Sequence, residues 1–452
     1  MRLLILIFFI TFLDAKSLQN LSLNQALKIV EKQNIEINIA KFDEDVAKLG
    51  IKVANGYNFG KLDATIMGLR SNDAGNVFGF KLQRREASFA DFGFDEFLYH
   101  WQAQSPPNVL LSTQPKRLNY PKAINHYDAK LTLMIPLYVG GKLSSYKKIA
   151  KEMKNMATID KNKIIGKKKI EVKRAFYDIT LLNRFEKDLK IIKKNIERLK
   201  SSILLFKKEG YAKRSDLLEV ESKLSNVNRM LFQAKAFKEL SYEFLTFLLN
   251  QDVKSIQDIK DIDSIKSTIS LNEVLQKNSD IKKADTGLKI QSEMVNVQKS
   301  SFLPEVGAFG EYGSADDEFL HNFKEHDRYT IGIQAKINIL NGGVDYNKYQ
   351  QEKIKKLKVK QQTLLARKGI SLKYKKIKTE IKNLKMQIKS LNKELAYAKE
   401  IYRSYKERYK EGLVSINDVI IKQSIWIEKL LKLLDAKNKK NKKILEIEEL
   451  VY

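Results

Sequence analysis

Residues 329–343 read YTIGIQAKINILNGG, and the reading of this stretch decides the fold. Ile331, Ile333, Ala335, Ile337 and Ile339 alternate with Thr330, Gly332, Gln334, Lys336 and Asn338, so an extended chain carries one apolar and one polar face. The stretch closes on a double glycine. An earlier segment closing on IPLYVGG repeats the pattern with Leu131, Leu133, Ile135 and Leu137, and the two double glycines lie 202 residues apart (343 − 141).

Two further landmarks follow the same rule. FKKEGYAKRSDLLEVE at 206–221 and RYKEGLVSINDVIIKQ at 408–423 each place an aspartate six residues after a glycine, Gly210 to Asp216 and Gly412 to Asp418, again 202 apart (412 − 210). LSLNQAL from Leu21 and ISLNEVL from Ile269 are 248 apart (269 − 21). Landmarks in the same order in both halves indicate an internal duplication. The first repeat then covers 16–250, a linker covers 251–268, and the second repeat covers 269–452. The first half's surplus fits residues 71–126, whose mixture of Gly, Pro and aromatic residues reads as a long loop.

Within each half the period changes. Ser22 with Gln25, and Ser270 with Glu273, have capping-box spacing and open helices expected to run to about Asn55 and Ser300. Strands follow near 61–70 and 127–139, and near 304–313 and 328–340. Leu62, Ala64 and Ile66 alternate with Asp63, Thr65 and Met67, whereas Val306 to Tyr312 is broken by glycine. Segments of ~9–11 residues with a two-residue period suit a membrane β-barrel, and on pattern alone they suit a soluble antiparallel sheet equally. After each double glycine the spacing becomes 4,3,4,3: Phe185, Leu189, Ile192, Ile196, Leu199, Ile203 and Phe206 in one half, and Leu384, Ile388, Leu391, Leu395, Ala398, Tyr402, Tyr405 and Tyr409 in the other. Such a seam needs neighbouring helices to cover it. Helical hairpins are expected over 142–249 and 344–448, with Gly210 and Gly412 at their tips.

Composition sets outer limits. The 452 residues contain 83 Lys plus Arg against 54 Asp plus Glu, a net charge of +29, with six prolines and no cysteine. Disulfides, thiolate metal sites and a cysteine-linked lipid are therefore excluded. MRLLILIFFITFLDAKS has one basic residue, an apolar run from Leu3 to Leu13 and a small residue at Ala15, which reads as a secretory signal over 1–15. That run is too short to span a bilayer, so entry into a membrane would be by strands. The lysines fall mainly on the polar faces of long helices, the reading of a solvated surface rather than of a nucleic-acid site. His100, His126, His321 and His326 fall in the loops at 71–126 and 314–327 without metal-ligand spacing, GKLSS after Gly140 lacks the upstream glycine of a phosphate loop, and no nucleophile–base pair is evident. No metal site, cofactor or enzymatic activity is expected.

The ordered set of LSLNQAL, paired strands, PLYVGG, long hairpin and EGLVSINDV resembles the TolC-like outer-membrane efflux proteins over nearly the whole mature chain. The resemblance implies a mainly α mixed fold in which three chains share a twelve-stranded β-barrel continued by a twelve-helix α-barrel through the periplasm. It implies a passive exit duct in the outer membrane, in contact with outer-membrane lipid. A periplasmic adaptor (membrane fusion) protein would join it to an inner-membrane pump or ABC transporter. By the same resemblance Tyr409 would hydrogen-bond Asp216 to lock the pore and Asp418 would contribute to an acidic ring. The lock's arginine is replaced by Val414 and the ring's second aspartate by Ile421. Gly210, Gly412, Leu413, Val414 and Ser415 match the tip presented to adaptors. Asp216 and Asp418 also suit plain helix capping, and the tip glycines suit either close helix approach or a positive φ. A secreted or periplasmic coiled-coil structural protein explains the seams but not the alternating strands.

Overall fold

The computed structural model describes residues 17–260, 265 and 267–452. The expected signal sequence lies outside these residues, as does part of the expected linker. In chain order the elements are α1 (Leu23–Gln33), α2 (Ile35–Gly56), β1 (Lys61–Ser71), four short helices α3 (Ala74–Gln83), α4 (Phe94–Gln102), α5 (Pro107–Ser112) and α6 (Lys116–Asn119), β2 (Ile124–Val139), α7 (Lys142–Lys208) and α8 (Arg214–Leu249). The second half continues with α9 (Leu271–Lys277), α10 (Ser279–Lys299), β3 (Glu305–Asp316), β4 (Asp327–Lys336), α11 (Val344–Lys410) and α12 (Ile416–Glu449). The chain divides into a helical unit (up to Ala47, Met153–Leu288 and Lys358–Tyr452) and a sheet-bearing unit (Lys48–Glu152 and Lys289–Leu357).

The helical unit is built twice. Ser22 caps α1, its hydroxyl accepting from the Gln25 amide, and Ser270 does the same for α9 through Glu273. Neither opening helix runs unbroken, contrary to the pattern. Each stops at a buried asparagine, Asn34 or Asn278, which sits in extended conformation and starts a second helix. The Asn34 Oδ1 accepts from the Ile37 amide at 3.1 Å and its Nδ2 donates to the Leu248 carbonyl at 2.8 Å. Asn278 repeats both bonds with Ile281 and Leu450 at the same distances. One side chain thus caps the helix that follows it and satisfies a carbonyl at the end of the returning hairpin helix.

Around these pins lie the cores. Ala26 and Val30 of α1 pack with Val172, Phe176 and Ile179 of α7 and Leu245, Leu248 and Leu249 of α8. Val274 packs with Tyr374, Ile377 and Ile381 of α11 and Ile444 and Ile447 of α12. The start of the linker is not slack: Leu18 and Leu21 pair in parallel with Val253 and Ile256. The seam residues Leu189, Ile192, Ile196 and Ile203 are buried against Val220 and Val227 of α8 and Tyr402, Val419 and Ile420 of the second hairpin. Across the first hairpin, Glu186 takes Lys190 at 2.7 Å and Lys238 of α8 at 2.6 Å. These two ammonium groups hold its carboxyl down at about 2, although burial opposes the shift.

In the sheet-bearing unit four antiparallel strands lie in the order β1-β2-β3-β4. β4 stops at Lys336, opposite Glu305, although apolar alternation continues through Ile337 and Ile339. The cause is Pro304, next in line on the partner strand, which has no amide to extend the ladder. The expected loop 71–126 is instead largely folded. Gly75 and Gly79 argue against helix, each costing ~1 kcal/mol relative to alanine, but Asp73 caps α3 and its Val77 and Phe80 are buried. Phe80 stacks on His126, which belongs to β2 and is buried rather than lying in a loop. His321 and His326 sit 3.6 and 3.4 Å from the buried Asp316. Arg85 fastens this insertion to the turn between β3 and β4 by donating to the Asp327 and Glu325 carbonyls.

Two outcomes follow from these interactions. Asn34→Ala or Asn278→Ala, each leaving a buried carbonyl without its donor, is expected to cost about 1–3 kcal/mol, read as a lowered urea midpoint; an unshifted midpoint would contradict the pinning role. Because the folded Glu186 carboxyl titrates below its unfolded counterpart, its contribution is complete above pH 4.5 and is lost as pH falls towards about 2. Glu186→Gln should therefore be less stable than the parent at neutral pH and show a flatter stability profile through that acid window.

Candidate functional site

The two hairpin tips are made by one device. α7 ends with the Tyr211 amide donating to the Phe206 carbonyl at 2.7 Å and the Gly210 amide to Lys207 at 3.2 Å. α11 ends with Leu413 donating to Arg408 at 2.9 Å and Gly412 to Tyr409 at 3.0 Å. Gly210 and Gly412 have φ of 81° and 73°, the left-handed residue of a Schellman ending. A Cβ at either position would meet nothing within 4 Å. Positive φ, not close helix approach, is thus what glycine supplies here.

The return helices start with acidic caps. Asp216 Oδ2 accepts from the Lys213 amide at 2.9 Å, and Oδ1 lies 3.4 Å from the Ser215 hydroxyl. Asp418 accepts from the Ser415 amide at 3.1 Å and hydroxyl at 2.6 Å, while the Ser415 Oγ accepts from the Asp418 amide at 3.2 Å. The Ser415 hydroxyl, then its amide, hold the Asp418 carboxyl below the usual aspartate range.

Tyr409 packs edge-on against Phe206, ring centres 5.9 Å apart, so the second hairpin's tip is held to the first by an aromatic pair. Burial pushes its phenol up, and the nearby Asp216 charge adds to that. Among the described residues no hydrogen bond joins Tyr409 to Asp216. Both carboxylate oxygens already serve the start of α8. The structure therefore brings the pair together but assigns the aspartate to capping.

The remaining tip residues divide. Leu413 is exposed, as are Gly210, Gly412 and Ser415, whereas Val414 is half-buried in the cluster formed by Ile416, Val419, Ile420 and Tyr409. Ile421, at the position of the missing second aspartate, is largely exposed. Sequence reasoning missed Gln423, which is buried and donates to the Tyr402 hydroxyl at 3.4 Å beneath a stack of Tyr402 on Trp426. Its signal was a lone amide at an apolar helical position.

Residues 270–450 match the family model described as outer membrane efflux protein. No curated protein matches the chain. Among solved structures, the Campylobacter jejuni CmeC outer membrane channel is 16% identical with a TM-score of 0.74, covering 95% of this chain and 85% of that one. The Vibrio cholerae outer membrane protein VceC is 13% identical at 0.72, covering 95% of both chains. The open-state Neisseria gonorrhoeae MtrE outer membrane channel is 13% identical at 0.72, covering 95% of this chain and 88% of that one. The resemblance read from the residues is borne out: the second repeat carries the family match, and the chain has the mixed, mainly α fold of the TolC-like channels.

Ser415→Ala removes one acceptor and one donor from the start of α12 and is expected to cost about 1 kcal/mol. Amides 416–419 should then exchange hydrogen faster while those of β2 are unaffected. Identical exchange in parent and variant would remove the capping role.

Proposed function

We propose that this chain, with the outer membrane efflux protein match in its second repeat and the TolC-like fold throughout, assembles as a homotrimer. It serves as the outer-membrane exit duct of a tripartite efflux pump or type I secretion system. The observation that carries this reading is the sheet. Among the described residues β1 and β4 pair only inward, leaving two edges, and Leu62, Ile66, Tyr329, Ile331 and Ile333 stand exposed on those strands. In lipid an open edge is untenable, and four strands are too few to close a barrel. Copies of the chain would supply the missing partners, giving twelve strands from three chains.

The helices make the same demand. Ile35, Ile39, Phe42, Val46, Leu49 and Val53 form a heptad-spaced exposed stripe on α2, and Phe237, Leu240, Phe244 and Phe247 form another on α8. At 1.5 Å per residue α7 and α11 are each roughly 100 Å long, long enough to line a passage through the periplasm. A coiled-coil structural protein accounts for the seams but gives the four-stranded sheet no task.

In this duct the tips form the periplasmic entrance. Asp216, Asp418 and Tyr409 are the proposed constriction, and Gly210, Gly412, Leu413, Val414 and Ser415 the proposed contact with a periplasmic adaptor. That adaptor would couple the duct to an inner-membrane pump or ABC transporter, which supplies energy and selects cargo. The exposed Leu413 is the apolar anchor such a contact would use.

The test combines fractionation with conductance. The full-length protein should require detergent for extraction from outer membranes, migrate as a trimer and form channels in planar bilayers. Asp216→Ala, which uncaps α8, and Tyr409→Ala, which removes the ring held against Phe206, should raise resting conductance. Water-soluble recovery as a monomer would overturn the duct, and unchanged currents in both variants would overturn the constriction alone.

A further inference from the structure

The insertion between β1 and β2 holds a cavity of about 580 Å³ lined by Val77, Lys81, Lys116, Arg117, Tyr120, Pro121, Lys122 and Ile124. Its volume falls in the roughly 300–1,000 Å³ range of small-molecule sites. The lining holds four cations and no carboxylate; the rest is apolar or aromatic. Two cations are already matched: Lys81 pairs with Asp91, and Arg117 lies 3.4 Å from Asp95. Lys116 and Lys122 have no ion-pair partner among the described residues, and both are exposed. The cavity therefore carries two positive charges without an ion-pair partner among the described residues, beside the buried Val77, the half-buried Pro121 and Ile124 and the exposed Tyr120 ring.

The scaffold holding those charges is ordered. Asp91 is pinned by the Ser88 amide and hydroxyl, each at 2.9 Å, besides its pair with Lys81. Burial pushes its carboxyl up, but the bonds from Lys81 and Ser88 outweigh this and hold it below the usual aspartate range. Arg85 ties the segment to the β3–β4 turn. Ile124 begins β2, so the cavity opens where a strand leaves its regular ladder.

We propose that this cavity is a binding site for the phosphorylated headgroup of an outer-leaflet lipid. Lys116 and Lys122 receive the phosphate, and Val77, Tyr120, Pro121 and Ile124 receive the adjoining apolar part. This rests on the duct reading, which puts the strand end at the membrane surface. Two ammonium groups without counter-charge favour a dianionic phosphate through charge-assisted hydrogen bonds. The apolar side chains of the lining favour an amphiphile over a free ion. A neutral glycolipid would leave both lysines unmatched.

The test uses the full-length protein in detergent and native mass spectrometry, with three probes: diphosphorylated lipid A, its enzymatically dephosphorylated form, and inorganic phosphate as competitor. The parent should retain the diphosphorylated lipid and not the dephosphorylated one. Lys116→Gln/Lys122→Gln should weaken retention by about tenfold or more, the scale expected from losing two charge-assisted contacts, while trimer yield is unchanged. Tyr120→Ala should weaken lipid retention through loss of its exposed ring alone. Equal retention by parent and double variant would overturn the site, as would equal retention of both lipids. Displacement by millimolar phosphate would show a free-anion site instead and overturn the lipid assignment. If the parent is a membrane trimer yet holds no phosphorylated lipid, this inference fails and the duct stands; if it is not a membrane protein, both fail.

Discussion

An antiparallel sheet of four strands has two edges, and here no strand among the described residues pairs with either. β1 pairs only with β2, and β4 only with β3. Backbone amides and carbonyls on an edge need partners, and where water is excluded only other strands can provide them. Duplication makes this a property of the design: each repeat contributes two strands, so doubling the unit widens the sheet without closing it. On the proposed duct reading closure would fall to copies of the chain, and the exposed stripes on α2 and α8 fit the same reading. A chain that satisfied its own edges would have no reason to keep such faces apolar.

What the two repeats share, and what they do not, separates constraint from drift. The buried asparagine bridge is reproduced with the same geometry at Asn34 and Asn278, although α1 and α9 differ by a full turn in length. The ion pairs around it are not reproduced. α2 is tied to α7 by the ion pairs Glu36–Lys168 at 2.5 Å and Glu44–Lys161 at 2.6 Å, whereas α10 is tied to α11 by the ion pair Asp285–Arg367 at 2.6 Å and by a hydrogen bond from the Gln291 amide to Glu352 at 2.5 Å. A buried carbonyl accepts few substitutes for an amide donor, while partly exposed ion pairs contribute little each and are replaceable.

The sequence made the period change legible because side-chain direction is local: alternation in 329–336 and the 4,3 spacing from Phe185 need no knowledge of distant residues. The same holds for the tip glycines. It concealed features whose cause lies far along the chain. β4 ends because Pro304 ends its partner strand, and no pattern within 337–340 records that. α3 survives two glycines because His126, from β2, offers Phe80 a stacking surface. The break at Asn34 depends on a carbonyl at residue 248. At the tips, types and positions were readable, but the use of Asp216 for capping rather than for a bond to Tyr409 depends on competition between nearby donors.

That competition bears on how such an entrance would open. A carboxylate that caps its own helix is not free to swing towards a partner without uncapping that helix, at a cost of about 1 kcal/mol. Asp216 and Asp418 are both committed in this way, and Tyr409 is held by Phe206. The buried Ile416 and Val419, with the half-buried Val414 packed against them in one apolar cluster, add to the tie between the two tips. Widening is thus favoured through displacement of whole helix ends, caps intact, over rearrangement of individual side chains. An adaptor that grips the exposed Leu413 would act on the element that such a motion has to move.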